Sequence, residues 1–342
     1  MPAEENILQH QSKNLPRIGI TMGDAAGIGP EISLKAVADK NIGKFCLPII
    51  IGDARFLRQT AKDLGLEIEF EIIGGNDEIP QDSDKTIIYN LNNITSEIVL
   101  GEESGAAGKA SAEYIEAAVK LCQENKIDAI ATAPISKKAL SLGGYNFPGH
   151  TEFLAHLTNT KDFAMSFFGG NLRVVLLSTH ISLLDAISLI KKDNFIELIL
   201  FTNRELSKLL NRKVKIAVAG LNPHASESGM FGTEEESEII PAITECHEKF
   251  NIDVTGAYSP DTVFLRAWRG EFDAVISCYH DQATIAVKCL AFGESVNVTL
   301  GLPIIRTSVD HGTAFNIAGK NIAENSSMKA AIKLAAELSA NS

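Results

Sequence analysis

Short runs of aliphatic and β-branched residues recur along the chain and predict buried β-strands. Continuous apolar runs are typical of parallel strands that are covered on both faces. The predicted strands are residues 17–21, 47–51, 86–89, 129–132, 173–178, 214–220 and 274–279. The helix-length segments between them are residues 30–40, 108–125, 193–210, 234–251 and 327–340. This alternation predicts an α/β protein with a mostly parallel sheet between two layers of helices.

The length of 342 residues favours two domains, because single cores rarely grow much beyond about 250 residues. The segment 132–145 joins two periodic regions, and a return crossing near 296–301 would bring the C-terminus back to the first domain. The predicted limits are 1–15 for a polar tail, 16–137 with 297–342 for the first α/β domain, and 138–296 for the second.

Composition excludes several classes of protein. With 45% hydrophobic and 22% charged residues, the chain resembles an ordinary globular protein with a sizeable core. Its formal net charge of −12 argues against general binding to nucleic acids, which requires a basic surface. Recognition of a phosphorylated molecule would therefore need positive charge concentrated in one local site.

Cysteine usage and the absence of long apolar runs favour a cytoplasmic protein without a membrane partner. No run approaches the ~18 apolar residues of a membrane span, and residues 1–15 lack the apolar centre of a signal peptide. The five cysteines are scattered, without a C-x-x-C pair, which suits a reducing compartment. Cys246 and Cys278 lie near histidines, but we expect them to be buried structural thiols.

A glycine-rich segment, MGDAAGIGPE, follows the first predicted strand and precedes a helix that begins at Pro30. A helix N-terminus favours an anion, and glycines let the backbone approach a ligand. However, the spacing matches neither the Rossmann fingerprint nor a P-loop. The pattern favours a ligand loop and a plain tight turn about equally.

Three histidines, His180, His224 and His280, each lie at or just beyond the end of a predicted strand. Parallel strands end at the same edge of a sheet, so three imidazoles could converge there and hold a catalytic divalent metal. Alternatively, each histidine hydrogen-bonds within its own loop, and the pattern alone leaves the two interpretations about level. The remaining histidines include His10 in the tail, and His156 and His247 on helix-like stretches; these we interpret as structural.

Two further clusters carry candidate chemistry. The first cluster consists of the ammonium of Lys288, the amide of Asn297 and the planar guanidinium of Arg306. These groups suit a phosphate or a carboxylate. The segment from Asp310 to Lys320, DHGTAFNIAGK, is similar to the loop that holds the adenosine end of the nicotinamide cofactor in isopropylmalate and isocitrate dehydrogenases. That similarity implies cofactor contacts at His311, Gly312, Thr313, Ala314 and Asn316.

The ordered motifs GDAAGIGPE, TAPISK, FPGHTEF, STHISLLDA, LNPHASESGMFGTEE, SPDTVF, YHDQ and VNVTLGLPIIRTSVDHGTA closely resemble the 4-hydroxythreonine-4-phosphate dehydrogenase family, from about residue 17 to 340. The resemblance implies two α/β/α lobes, isocitrate/isopropylmalate dehydrogenase-like, with the active site in the interdomain cleft. It implies NAD(P)-dependent oxidation of 4-phosphooxy-L-threonine at C3, followed by decarboxylation to 3-amino-2-oxopropyl phosphate, in pyridoxal 5′-phosphate biosynthesis. We favour NAD over NADP.

The same resemblance assigns roles to residues. It places one divalent metal (zinc, magnesium or cobalt) on His180, His224 and His280, and substrate contacts on His150, Thr151, Lys288, Asn297 and Arg306. It also implies a homodimer, through the second domain, whose subunits share the sites. The residue that accepts the substrate proton stays undecided. Asp281 and Lys288 are candidates, and for Asp281 a role in orienting a metal ligand is favoured.

Several positions depart from the family pattern, namely Ala25, Ser136, Ser226 and Ser228. None of them removes a candidate metal or phosphate ligand, so the expected reaction type is unchanged. They do weaken the substrate assignment, because paralogues of the family oxidise other four-carbon phosphorylated acids such as erythronate 4-phosphate. A catalytically silent phosphate- or nucleotide-binding protein with the same fold is the alternative from another class.

Overall fold

The computed structural model describes residues 15–75, 77–291 and 293–340. The strands are β1 (Arg17–Thr21), β2 (Leu47–Gly52), β3 (Phe70–Ile73), β4 (Thr86–Asn90), β5 (Ala129–Thr132), β6 (Ala164–Gly169), β7 (Leu172–Leu176), β8 (Ile216–Ala219), β9 (Val254–Tyr258), β10 (Ala274–Ser277), β11 (Val296–Leu300) and β12 (Arg306–Ser308). The helices are α1 (Gly29–Val37), α2 (Ala54–Asp63), α3 (Gly105–Gln123), α4 (Lys137–Leu142), α5 (His150–Leu157), α6 (Leu183–Ser188), α7 (Lys192–Leu209), α8 (Ile240–Phe250), α9 (Val263–Trp268), α10 (His280–Leu290) and α11 (Ser326–Ser339). Short 3-10 turns lie at Ile42–Lys44, Pro223–Glu227 and Phe315–Ile317, and a π-helical turn lies at Glu235–Ile239.

The predicted strands and helices are confirmed, with ends that shift by a few residues. The helix predicted over 234–251 consists of the π-helical turn followed by α8. The hydrophobic pattern missed β3, β6, β9, β11 and β12, because polar, exposed or half-buried positions interrupt the continuous apolar run in these strands. It also missed α2, whose N-cap Asp53 accepts a hydrogen bond from the backbone N–H of Phe56.

Within the described residues, the strands form one sheet in the order β3-β4-β2-β1-β5-β12-β11-β6-β7-β10-β8-β9. β11 is antiparallel to both β12 and β6, and β6 is antiparallel to β7. Other pairs, such as β1–β5, β12–β5, β7–β10 and β10–β8, are parallel. The mostly parallel α/β fold is thus confirmed. Its strands form two parallel groups, which are β3-β4-β2-β1-β5-β12 and β7-β10-β8-β9. The two groups run in opposite directions because three antiparallel pairs separate them.

Helices cover both faces of this sheet. One core cluster extends across both parallel groups, from Ile18 and Ile20 on β1 to Val218 on β8 and Ile276 on β10. A second cluster lies under α2 and α3, and a third lies under α9 and α10. Burying each large apolar side chain stabilises the fold by about 1.5–3 kcal/mol. The shared cluster joins the two groups of strands into one packed body, whereas the domain limits expected from the sequence stay a prediction.

The structure describes the surroundings of the cysteines and of His247, which lie outside the site. Cys246 and Cys278 are buried, as predicted, and of the other thiols only Cys289 is exposed. The His247 ring contacts the carbonyl oxygen of Ile252 at 3.1 Å. His10 and the rest of the tail up to residue 14 lie outside the described residues. Among the described helices, none is both long and apolar enough to cross a bilayer.

Candidate active site

A cavity of about 620 Å³ lies over the central strands, where the two parallel groups meet. Strands β6, β7, β11 and β12 contribute to its lining, together with the loops that follow β5 and β12. The predicted site residues that line it are His150, Thr151, His180, Asn297, Arg306, His311 and Gly312. The structure therefore brings seven residues from distant parts of the chain to one cavity, and these span the predicted substrate, metal and cofactor groups.

Arg306, at the start of β12, is the most deeply buried charged group of this cavity, with 3% of its surface exposed. Its guanidinium donates to the hydroxyl oxygen of Thr132 at 2.9 and 3.2 Å and to that of Thr299 at 3.0 Å. Within the part of the chain that the structure describes, no carboxylate forms an ion pair with it. Burial lowers the pKa of Arg306 to about 9, and the opposing effect of Glu152 is smaller, so the cation has no direct counter-charge among the described residues. An anionic ligand would supply that charge.

Two further polar groups at the cavity lack partners among the described residues. Nε2 of His150 and Oδ1 of Asn297 are buried without a hydrogen bond. Burial, and then the charge of Arg306, lower the pKa of His150 well below its usual value, so the ring is neutral. A buried polar atom without a partner costs about 1–3 kcal/mol, so these atoms indicate a polar ligand in this cavity.

The rings of His180 and His280 lie beside each other, with centroids 5.6 Å apart. His180 follows β7, and His280 is the first residue of α10 after β10, which pairs with β7 in parallel. Nδ1 of His280 lies 2.7 Å from Oδ1 of Asp281. If this nitrogen carries the proton, Nε2 keeps its lone pair, which is the arrangement found in metal-binding histidines.

His224 adopts a different local structure from the other two histidines. From His224 to Ser228, five consecutive residues have positive φ, between 47° and 68°. Each such residue costs roughly 1–2 kcal/mol without glycine. Buried Glu235 holds the turn, since it accepts hydrogen bonds from the backbone N–H of Asn222 at 2.7 Å and from its side-chain amide at 2.9 Å. The departures at Ser226 and Ser228 thus fall at positions where glycine or asparagine would be less strained.

Within one chain, only two of the three predicted histidine ligands lie close enough together to hold a metal ion. Among the described residues, no three His, Cys, Asp or Glu side chains lie close enough together to hold an ion. His180 and His280 provide two adjacent imidazole rings, and His224 lies apart from them, with its ring 6.5 Å from that of Phe231. The three-histidine metal site therefore stays a prediction. One chain brings together two of its three predicted ligands, His180 and His280.

The candidate cofactor loop packs against the glycine-rich segment. The backbone N–H of Ile28 donates to the carbonyl of Thr313 at 2.9 Å. A Cβ on Gly27 would meet that carbonyl oxygen at 2.8 Å, so the close approach requires glycine there. The glycine-rich segment thus shapes the loop that carries His311 and Gly312 to the cavity, while Ala314 (φ 44°) turns the chain away toward exposed Asn316.

The sequence pattern did not indicate Lys137 and Glu152, which also line the cavity. Glu152 acts electrostatically on both Arg306 and His180, where it opposes the lowering of their pKa values. Lys137 follows strand β5 by five residues, so the rule that ligands bind beyond the carboxyl ends of strands could have found it. Lys288 is exposed on α10 and does not line the cavity.

Comparison with known proteins identifies the family. The sequence model of the family described as "Pyridoxal phosphate biosynthetic protein PdxA" matches residues 44–335. The chain belongs to the PdxA family. Its dehydrogenase activity follows from this membership and from the relatives described next.

Relatives of this PdxA-family chain are named as dehydrogenases. "D-threonate 4-phosphate dehydrogenase" of Cupriavidus necator is 45% identical over 96% of this chain and 98% of its own. Among solved structures, a 4-hydroxythreonine-4-phosphate dehydrogenase from Burkholderia phymatum is 45% identical, with a TM-score of 0.84 and coverage of 95% and 98%. One from Klebsiella pneumoniae is 38% identical, with a TM-score of 0.86 and coverage of 95% and 99%.

The glycine-rich segment of this PdxA-family chain contains a buried acid, Asp24, that yields a pH prediction. Burial, with a contribution from Glu103, raises its pKa from 3.8 to about 6, although the backbone N–H groups of Ala26 and Ser136 partly offset the shift. A raised carboxyl pKa means that the folded state favours the protonated form. Its contribution to stability is present below pH 3.8 and is lost as pH rises to about 6.

We therefore expect Asp24→Asn to become more stable relative to wild type as pH rises from about 4 to about 7. The gain should reach up to about 3 kcal/mol and then stay constant. Urea unfolding of both proteins at several pH values measures the difference. A stability difference that does not change over this pH range would contradict the raised pKa.

Proposed function

We propose that the protein is an NAD-dependent dehydrogenase that oxidises the C3 hydroxyl of a four-carbon acid phosphorylated at C4, with D-threonate 4-phosphate as substrate. Oxidation yields a 3-oxo acid, and loss of its carboxyl group as carbon dioxide leaves dihydroxyacetone phosphate. The observation that carries the proposal is the buried guanidinium of Arg306, which faces the cavity without a carboxylate partner among the described residues. Its planar fork matches the oxygens of a phosphate.

The charges around the cavity favour a hydroxy acid over an amino acid. Arg306 and Lys137 contribute two cations, and Glu152 is the single carboxylate among the described lining residues. The described lining residues thus carry a net positive charge, which makes it costly to place an ammonium on C2. A hydroxyl at C2 carries no charge and avoids this cost. The name of the Cupriavidus necator relative supports the same substrate.

The proposed roles of the cavity residues follow from their surroundings. His150 is neutral and half-buried, so its unpartnered Nε2 is available to hydrogen-bond a substrate oxygen. Thr151 and Asn297 add a hydroxyl and an amide beside it. Asp281 holds the His280 ring by its Nδ1, which suits orientation better than proton transfer. The loop from His311 to Asn316 would hold the adenosine end of NAD. When bound, NAD accepts the hydride on its nicotinamide ring.

The proposed metal site involves a second subunit. We assign His180 and His280 of one subunit to the ion, with His224 of the partner subunit as third ligand. A divalent ion bound there would act as a Lewis acid toward the C3 oxygen. Exposed apolar side chains adjoin both regions, with Ile181 and Leu184 after His180, and Met230 and Phe231 after His224. Such side chains are typical of a surface that a homodimer buries, and exposed Lys288 would reach the substrate across the same interface.

Oxidation of 4-phosphooxy-L-threonine to 3-amino-2-oxopropyl phosphate is the second candidate, and the description of the family model favours it. The two substrates share the phosphate, the C3 hydroxyl and the carboxylate, so the same residues would serve either. They differ at C2, where one carries a hydroxyl and the other an ammonium. A cytoplasmic location, as predicted from the sequence, accompanies both.

The deciding experiment measures reduction of NAD, and separately of NADP, with three substrates: D-threonate 4-phosphate, erythronate 4-phosphate and 4-phosphooxy-L-threonine. We expect kcat/KM for D-threonate 4-phosphate to exceed the others by at least about tenfold, which is about 1.4 kcal/mol. Chelation should abolish turnover, and added zinc, cobalt or magnesium should restore it. Faster turnover of 4-phosphooxy-L-threonine would favour the second candidate. No reduction with any substrate would favour a silent binding protein.

A further inference from the structure

Lys137 places an ammonium group at the mouth of the cavity. It is the first residue of α4, whose N-cap Ser136 accepts a hydrogen bond from the backbone N–H of Ala139 at 3.1 Å. The side chain lines the cavity and passes over Gly149, where its Cε lies 3.9 Å from the position that a Cβ would take. The backbone of α4 therefore fixes where this cation enters the site.

The neighbouring lysine shows a contrasting environment. Lys138 is paired with Glu103, with 2.8 Å between Nζ and Oε2. For Lys137, no hydrogen bond or ion pair is found within residues 15–75, 77–291 and 293–340. Two adjacent lysines thus differ, because Lys138 forms an ion pair and Lys137 forms none among the described residues, although Oε2 of Glu152 also lies 3.4 Å from the Cβ position at Gly149.

The position of Lys137 relative to the other cavity groups indicates which end of the substrate it meets. The Lys137 side chain is exposed and passes over Gly149 at the mouth of the cavity. Arg306, by contrast, is buried under Thr132 and Thr299. With the phosphate on buried Arg306, the carboxylate at the other end of a four-carbon chain would lie toward the exposed lysine.

We propose that Lys137 binds the C1 carboxylate of the substrate and thereby selects acids over uncharged analogues. This inference rests on the proposed function, since it assigns the second anionic group of that substrate. The carboxylate keeps its charge in the bound acid and in the transition state for hydride transfer. An interaction that is equally strong in both states lowers KM and leaves kcat unchanged.

The test compares Lys137→Met, Lys137→Arg and the control Lys138→Met on D-threonate 4-phosphate and on its C1 amide. For the acid, Lys137→Met should raise KM about thirtyfold, which is about 2 kcal/mol, with kcat within about threefold of wild type. For the amide, it should change KM less than about threefold. Lys137→Arg should recover most of the affinity for the acid, and Lys138→Met should behave as wild type.

Isothermal titration calorimetry of both compounds, without cofactor, provides a readout that does not depend on turnover. Equal losses for acid and amide would overturn the proposal and place Lys137 on the phosphate. An unchanged KM for the acid would overturn it as well. If wild type binds the acid more tightly than the amide but reduces no NAD, the proposed function fails while the role of Lys137 is still measured by the variants. If wild type binds neither compound, both fail. Thermal melting of each variant verifies folding.

Discussion

Arg306→Met is expected to lower kcat/KM about a thousandfold, equivalent to about 4 kcal/mol, while the protein stays folded. The loss follows from removing the one buried cation that the cavity, as far as its described residues go, offers to a phosphate. Truncating one member of a buried charge pair costs about 2–5 kcal/mol, because the other charge is left without a partner. In this protein that other charge belongs to the substrate, so the penalty appears in kcat/KM.

Stability should respond to Arg306→Met in the opposite direction. The guanidinium is held by the hydroxyls of Thr132 and Thr299 and has no carboxylate partner among the described residues, so the folded state bears the cost of a desolvated cation. Replacing buried charges with apolar side chains of similar volume is often neutral or stabilising. We expect the melting temperature of Arg306→Met to equal or exceed that of wild type.

Steady-state kinetics and thermal melting of the same preparations measure both effects. Arg306→Lys keeps the positive charge but loses the planar, bidentate hydrogen-bond donors of the guanidinium. It should retain about a tenth to a hundredth of the wild-type kcat/KM. Arg173→Met is the matched control, since Arg173 is also desolvated and lies on strand β7 outside the cavity lining. If Arg306→Met kept near-normal kcat/KM, Arg306 would not bind the phosphate.

Gly108→Ala is expected to destabilise the protein by at least about 3 kcal/mol. A Cβ at this position of α3 would lie 1.8 Å from the carbonyl oxygen of Ala139 and 2.6 Å from the backbone nitrogen of Leu140. Both atoms belong to the backbone of α4, so no side-chain rotation relieves the contact and the whole helix must move. Overpacking of this kind usually costs about 1–3 kcal/mol, and contacts with backbone lie at the upper end.

The substitution should also weaken function, because α4 carries Lys137 to the cavity. Gly43→Ala is a matched control, since no atom lies within 4 Å of the position that a Cβ would take there among the described residues, and alanine otherwise favours helical backbone. Urea midpoints and melting temperatures of the two variants measure the difference. Equal stabilities for Gly108→Ala and wild type would mean that α3 and α4 are not held at this separation in solution.

Local patterns in the sequence were sufficient for most elements of the fold. Continuous apolar runs located β1, β2 and β5, because strands buried on both faces need apolar side chains at every position. Edge or half-buried strands such as β3 lack that pattern. The motif order was sufficient for the family, because ligand-binding loops keep their residues in a fixed sequence between the elements.

Other parts of the site depend on contacts between distant residues. Arg306 and Thr132 are 174 positions apart, and their hydrogen bond arises because β12 inserts beside β5 in parallel. Lys137 and Lys138 are indistinguishable by residue type, and only the position of Glu103 separates the paired one from the other. The absence of an ion-pair partner for Arg306 and the ion pair of Lys138 both depend on how several elements pack, so the sequence alone does not reveal them.

For this protein, the sequence by itself established a globular, acidic α/β chain and a set of histidine, lysine and arginine residues that follow strands. It also implied a local positive site, since a net charge of −12 leaves little general attraction for phosphate. The tertiary structure decided where that site lies. Antiparallel β11 and β6 reverse the second group of strands, so the cavity forms where the two groups meet, over the middle of the sheet, rather than at one common edge. Strand direction is set by pairing between distant segments, which local residue patterns do not encode.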